Sequence, residues 1–155
     1  MAWEFYLLDW ISTHLHSDFL TPAFRVITSL GNAGIFWILL GLVLLCIPKT
    51  RRCGLSMILA LLCCLVFGNL ILKPLIHRIR PYDVNSAVQL LIPRLSDFSF
   101  PSGHTYASFA GAVVILRYYK KWGIAALVLA VLIAFSRLYF YVHFPTDVLA
   151  GMVLG

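Results

Sequence analysis

Five apolar runs set the pattern of this chain: Gly34 to Pro48, Cys53 to Leu72, Thr105 to Tyr118, Gly123 to Phe140 and Val148 to Gly155. A bilayer crossing takes about 20 residues, with about 17 as a lower bound, so the second and fourth runs qualify alone. The first reaches that length by extending back through Asn32, and the third by running from Ser102 to Tyr119. The last stops eight residues past Asp147, so it is expected either to be truncated or to end midway inside the bundle. Before these runs, Trp3, Phe5, Tyr6, Leu7 and Trp10 alternate with Glu4, Asp9, His14 and His16, which predicts a short interfacial helix. Phe19 to Leu30 is too short for a further crossing and contains Pro22 and Arg25, while Gly31-Asn32-Ala33-Gly34 reads as the turn into the first span. The expected fold class is all-α, a polytopic membrane helix bundle of about five to six helices. It forms a single membrane-embedded domain over 1–155, with 1–30 as an N-terminal interfacial segment and 31–155 as the bundle.

Composition supports that assignment and excludes a soluble domain. The 155 residues are 61% hydrophobic and only 12% charged, with a mean hydropathy of +0.92. Met1 to Asp9 has no basic stretch and is interrupted by Glu4 and Asp9, so no secretory signal is expected there, although the first span can act as a signal anchor. Cys46, Cys53, Cys63 and Cys64 lie in or beside apolar runs without metal-ligand spacing, and they read as small packing residues.

The net charge of +6 is distributed unevenly. Lys49, Arg51 and Arg52 occupy one short loop and Arg117, Lys120 and Lys121 another, neither with an acid; the other six basic residues are matched by the six acids. The positive-inside bias puts both basic loops in the cytoplasm. Alternate threading then brings 73–103 and 140–146 together on the outer side.

That outer side carries the chemistry. Basic residues near lipid are costly, so Lys73, Arg80 and Arg137 gathered with His104 and His143 indicate a polyanion site, phosphate being the obvious candidate. Lys73 and Arg80 are seven residues apart, two turns along one helical face, with Pro74 favouring a kink just past Lys73. Ser102-Gly103-His104 after Pro101 reads as a helix N-terminus with a serine cap, where free amides and the helix dipole attract anions and His104 can protonate a leaving oxygen. Asp147 orients His143 across Pro145, a first-turn proline, leaving the other ring nitrogen as nucleophile or base. Each motif alone also fits a plainer role: snorkelling cations, a capping fragment, a carboxylate at a helix dipole. Gly103, Ala107 and Gly111 fit close helix packing. His77 and Arg78 are expected to face headgroups or water and His14 and His16 the interface, while Asp83, Arg94 and Asp97 sit in an 82–100 loop that shapes the site's entrance.

Taken in order, Lys73 to Pro81 (K-x6-R-P), Pro101 to His104 (P-S-G-H) and Ser136 to Asp147 (S-R-x5-H-x3-D) resemble the type 2 phosphatidic acid phosphatases (PAP2), relatives of bacterial acid phosphatases and vanadium haloperoxidases. The resemblance covers roughly residues 30 to 155. It implies a phosphohydrolase with no metal and no cofactor. In that reading Lys73, Arg80, Arg137, Ser102 and the Gly103 amide hold the phosphoryl group. His143 attacks phosphorus, Asp147 orients it, and His104 protonates the leaving oxygen and then activates water. The implied partners are a lipid phosphate substrate and membrane lipids, with no nucleic acid. The implied location is the bacterial plasma membrane, with the site on the extracytoplasmic face. Undecaprenyl diphosphate is the leading substrate, because no large extramembrane domain is present to recognise a glycerol headgroup. Phosphatidylglycerophosphate and phosphatidic acid are alternatives, and a non-catalytic phospholipid binder or transporter is the reading of another class.

Overall fold

A computed structural model describes residues 2–155; Met1, part of the expected interfacial segment, lies outside the described residues. Every regular element among them is helical: α1 (Ala2–Leu15), α2 (Leu20–Ser29), a 3₁₀ turn (Asn32–Gly34), α3 (Ile35–Cys46), α4 (Arg51–Cys63), α5 (Lys73–Ile76), α6 (Pro81–Val84), α7 (Gly103–Tyr118), α8 (Lys120–Tyr139) and α9 (Pro145–Leu154). Between α4 and α5 the chain stays helical, but over Cys64–Leu72 it widens to a π-helix.

The protein is an integral membrane protein. Helix α8 is 20 residues long and apolar enough to cross a bilayer, as is the rod that begins at Arg51. The segment from Phe19 to Leu30 is no separate crossing: Leu20–Ser29 meets the helical stretch Asn32–Cys46 at a 41° bend, and the two qualify only as one broken span. The bend lies in the expected turn, where Ala33 and Gly34 take left-handed backbone angles (φ 50° and 67°). The outward surface is lined by Leu39, Val43, Leu59, Phe67, Leu70 and Val128, all exposed, as lipid-facing positions require.

Inside, two apolar cores stack along the bundle. One, among α3, α4, α7 and α8, contains Trp37, Met57, Tyr106, Ala112, Ile115 and Ile133. Gly111 makes it possible: a Cβ there would come within 2.5 Å of the Trp37 ring. The second core gathers Leu8, Ile11, Tyr82, Tyr139, Phe140, Tyr141 and Phe144, so α1 packs on the bundle through its inner face. Trp3, Tyr6 and Trp10 point outward as an interfacial helix requires, but Glu4 is buried. His16 is not a free interfacial residue: its Nε2 donates to the Tyr139 carbonyl at 2.7 Å. Of the cysteines only Cys53 is fully buried, while Cys46 and Cys63 face outward.

Both basic loops lie at one end, where the Tyr119 hydroxyl donates to the Lys49 carbonyl (3.3 Å). The opposite end collects the α2–α3 turn, the end of α5, the start of α7 and the α8–α9 turn. The alternation of spans therefore brings the three motifs to one place.

Candidate active site

Lys73 and Arg80 converge, but not along a helix. The helix ends at Ile76, where His77 turns left-handed (φ 51°), and Arg80 is extended (φ −76°, ψ 153°). Pro81 is the physical reason, since it disfavours helical backbone in the residue before it. The two side chains meet on Asp97 instead, which forms ion pairs with Lys73 and with Arg80 (Nη2 to Oδ1, 2.6 Å). Arg80 Nε also donates to the Asp97 carbonyl at 2.8 Å. Burial alone would raise the Asp97 carboxyl, but the hydrogen bonds and charges of Lys73 and Arg80 outweigh it and hold the group at about 2.

Helix α7 begins beside this clamp. Ser102 is at the N-cap position, yet its side chain caps no backbone amide; its Oγ accepts from Thr105 Oγ1 at 2.9 Å. The first amides of α7 thus keep their capacity for an anion. Gly103 faces the clamp, for a Cβ built on it would stand 3.7 Å from Lys73 Nζ. His104 Nε2 lies 3.0 Å from Asn32 Oδ1, an acceptor, so this nitrogen carries the hydrogen.

His143 sits in the turn before α9, buried with both ring nitrogens assigned by their neighbours. Nε2 is 3.2 Å from Arg80 Nη1, which can only donate, so Nε2 presents its lone pair. Nδ1 faces Asp147 Oδ2 at 3.6 Å and Ser99 Oγ at 3.5 Å. Burial above all, with the Arg80 and Arg137 charges opposing Asp147, pushes the imidazole down to about 3. It is therefore neutral at pH 7. Asp147 Oδ2 also accepts the Phe144 amide (2.9 Å), capping α9, whose first residue is Pro145.

Lys73, Arg80, Asp97, Gly103, His104 and His143 all line one cavity of about 400 Å³. Its wall continues along Ile38, Ile58, Leu61, Leu62 and Leu65, of which Ile38, Leu62 and Leu65 are exposed on the lipid side. Arg137 lines a neighbouring cavity with Thr28 and Leu95. Its Nη1 donates to Thr28 Oγ1 at 2.5 Å, while its buried Nε and Nη2 have no hydrogen-bond partner among the described residues.

The PAP2 superfamily family model matches residues 50–155, the stretch that supplies every charged and histidine residue of this cavity. The chain belongs to the PAP2 superfamily. An undecaprenyl-diphosphatase of Sulfolobus acidocaldarius is 36% identical over 120 residues, 77% of this chain and 58% of that relative. The chain thus spans less than two thirds of that protein's length. Two crystal structures share the fold. LpxE of Aquifex aeolicus has a TM-score of 0.84 at 30% identity, covering 97% of this chain and 88% of that one. A transmembrane PAP2 type phosphatidylglycerolphosphate phosphatase of Bacillus subtilis has a TM-score of 0.79 at 28% identity, covering 99% and 79%.

Around the PAP2 motif residues the structure adds others that their spacing did not single out. Asp97 lies in the expected entrance loop, and there it lines the cavity half-exposed while bridging Lys73 and Arg80. Arg78 does not face headgroups: it pairs with Glu4 (3.0 Å) and Asp147 (2.5 Å) and stacks over the Phe144 ring at 4.2 Å. Ser99 donates to Asp147 Oδ2 at 2.6 Å, and Asn32 holds His104. The one signal for Arg78 was the matching of acids and bases outside the basic loops. His77, as expected, is exposed, with its ring edge-on to Phe98.

Proposed function

We propose that this protein is a metal-independent lipid phosphate phosphatase working through a phosphohistidine. The observation that carries the reading is the His143 ring, which lines the cavity shared with Lys73, Arg80 and His104, with its Nε2 lone pair facing Arg80 and its Nδ1 turned to Asp147. The phosphoryl group displaces Asp97 from Lys73 and Arg80 and takes the α7 N-terminal amides, beside Ser102 and Gly103, and the free Arg137 N–H groups as further donors. His143 Nε2 attacks phosphorus, the P–O bond to the lipid breaks, and its electron pair leaves on the oxygen, which takes a proton from His104. His104 then accepts a proton from water, the resulting hydroxide attacks the phosphohistidine, and the P–N bond breaks to release inorganic phosphate. Catalysis here is positioning and charge stabilisation by three cations.

The apolar wall beside the charged residues supports a substrate with a lipid tail, undecaprenyl diphosphate first, with phosphatidylglycerophosphate and phosphatidic acid as alternatives. The whole chain acts as one domain. The exposed basic loops at the far end favour an extracytoplasmic site, and the membrane of this reading is a bacterial plasma membrane.

The test is phosphate release by detergent-purified protein in EDTA with each of the three lipids. The expected result is release that His143→Ala abolishes. Lipid binding without release would instead support the non-catalytic binder or transporter.

A further inference from the structure

Arg78 occupies one of the positions that the K-x6-R-P pattern leaves unspecified, and Glu4 lies on α1, before the PAP2 match begins at residue 50. Neither lines the cavity. Both nevertheless bear on Asp147, which is fully buried. Its Oδ2 is occupied by the Ser99 hydroxyl and the Phe144 amide (2.6 and 2.9 Å), and faces His143. Its Oδ1 is held by Arg78 Nη1 at 2.5 Å. The other terminal nitrogen of Arg78, Nη2, grips both oxygens of Glu4 at 3.1 and 3.0 Å. Thr146 closes the ring, accepting from Arg78 Nη1 (2.6 Å) and donating its own hydroxyl to Glu4 Oε1 (2.6 Å).

One guanidinium therefore stands between two buried carboxylates. Taking it away leaves two like charges in a dry site and Oδ1 with nothing to hold it, so the carboxylate turns or takes up a proton. Either change alters how Asp147 supports the charge that develops on His143. Planarity is what lets Arg78 divide its two terminal nitrogens between the acids; a lysine offers one point of charge and reproduces the effect only in part.

We propose that Arg78, steered by Glu4, is a positioning residue that sets Asp147 against His143, so that the N-terminal helix is a working part of the active site. The inference rests on the phosphohistidine reading. Its test uses the full chain in detergent, with farnesyl diphosphate as a soluble polyprenyl probe and wild type, Glu4→Gln, Arg78→Lys, Arg78→Gln and His143→Ala compared. Arg78→Gln is expected to lower kcat about 100-fold and Glu4→Gln about tenfold, with Arg78→Lys between Arg78→Gln and wild type. KM stays within about twofold, because neither residue touches the substrate. Folded Glu4→Gln and Arg78→Gln proteins with wild-type kcat, or a change in KM alone, would overturn the proposal. If Arg78→Gln does not fold, Glu4→Gln and Arg78→Lys decide it by the same split. Release that survives in His143→Ala sinks the phosphohistidine reading itself, a result distinguishable from the others.

Discussion

The two ends of the bundle carry similar numbers of basic residues in opposite conditions. At one end Lys49, Arg51, Arg52, Arg117, Lys120 and Lys121 are all exposed, with no acid beside them in sequence. The groove they flank, about 470 Å³ between α3, α7 and α8, is lined by apolar and aromatic residues and Thr50, without one charged side chain. At the other end Lys73, Arg80 and Arg137 are buried and Arg78 is partly so, interleaved with buried Glu4 and Asp147 and half-exposed Asp97. Exposed charges keep their hydration and ask nothing of one another. Lys73 and Arg80, buried, are paired on half-exposed Asp97, whereas buried Arg137 keeps two N–H groups without a partner among the described residues; cations taken out of water in this way make an anion site. Charge alone marks topology, whereas charge with burial marks chemistry.

The sharpest way to break this comparison is to remove one buried cation. Arg80→Ala should lower kcat/KM about 10³-fold, since Arg80 faces His143 Nε2 and, in the proposed mechanism, meets the phosphoryl group. Steady-state phosphate release against wild type measures it.

Asp97→Asn sharpens the same contrast with a smaller effect of the opposite sense. The carboxylate occupies the Lys73 and Arg80 groups that the proposed mechanism gives to phosphate, so weakening it should lower KM about threefold. An unchanged or higher KM would show that the pairing does not compete with substrate. Its carboxyl, held at about 2, keeps the clamp charged throughout the neutral and mildly acidic range.

A gentler probe is pH. His143 has its folded pKa lowered from 6.5 to about 3, so below pH 6.5 the unfolded chain takes up a proton that the folded chain refuses. Stability should therefore fall as pH drops from 6.5 towards 3. Thermal melting across that range should be less acid-sensitive in His143→Asn, and an identical slope would locate the acid sensitivity elsewhere. The smallest effect belongs to the basic end: Lys120→Gln with Lys121→Gln should leave kcat within about twofold and stability within about 0.5 kcal/mol.

Much of this arrangement was legible in the chain. The apolar runs located α3, the rod from Arg51, α7 and α8, because a helix in lipid must satisfy its backbone internally and shows as an unbroken apolar stretch. Pro145 and Asp147 signalled the start of α9 by local capping rules. Lys73 and Arg80 were read on one helical face, although Pro81 already carried the contrary signal. Arg78 and His16 were assigned to the surface because long polar side chains near an interface ordinarily stay there; each found a partner on a distant element instead.

By itself the sequence determined that this is a helical membrane protein and that its three motifs share one end, and it made phosphate the candidate ligand. Those properties follow from hydrophobicity, from period and from local capping, which act within a few turns of chain. Only the tertiary structure decided that Asp97 bridges Lys73 and Arg80, that Asn32 holds His104 and that Glu4 reaches Arg78, 74 residues away. Ion pairs between distant segments have no period in sequence, because each is selected by burial: once packing removes the water, a charge takes whichever opposite charge the fold has brought within reach.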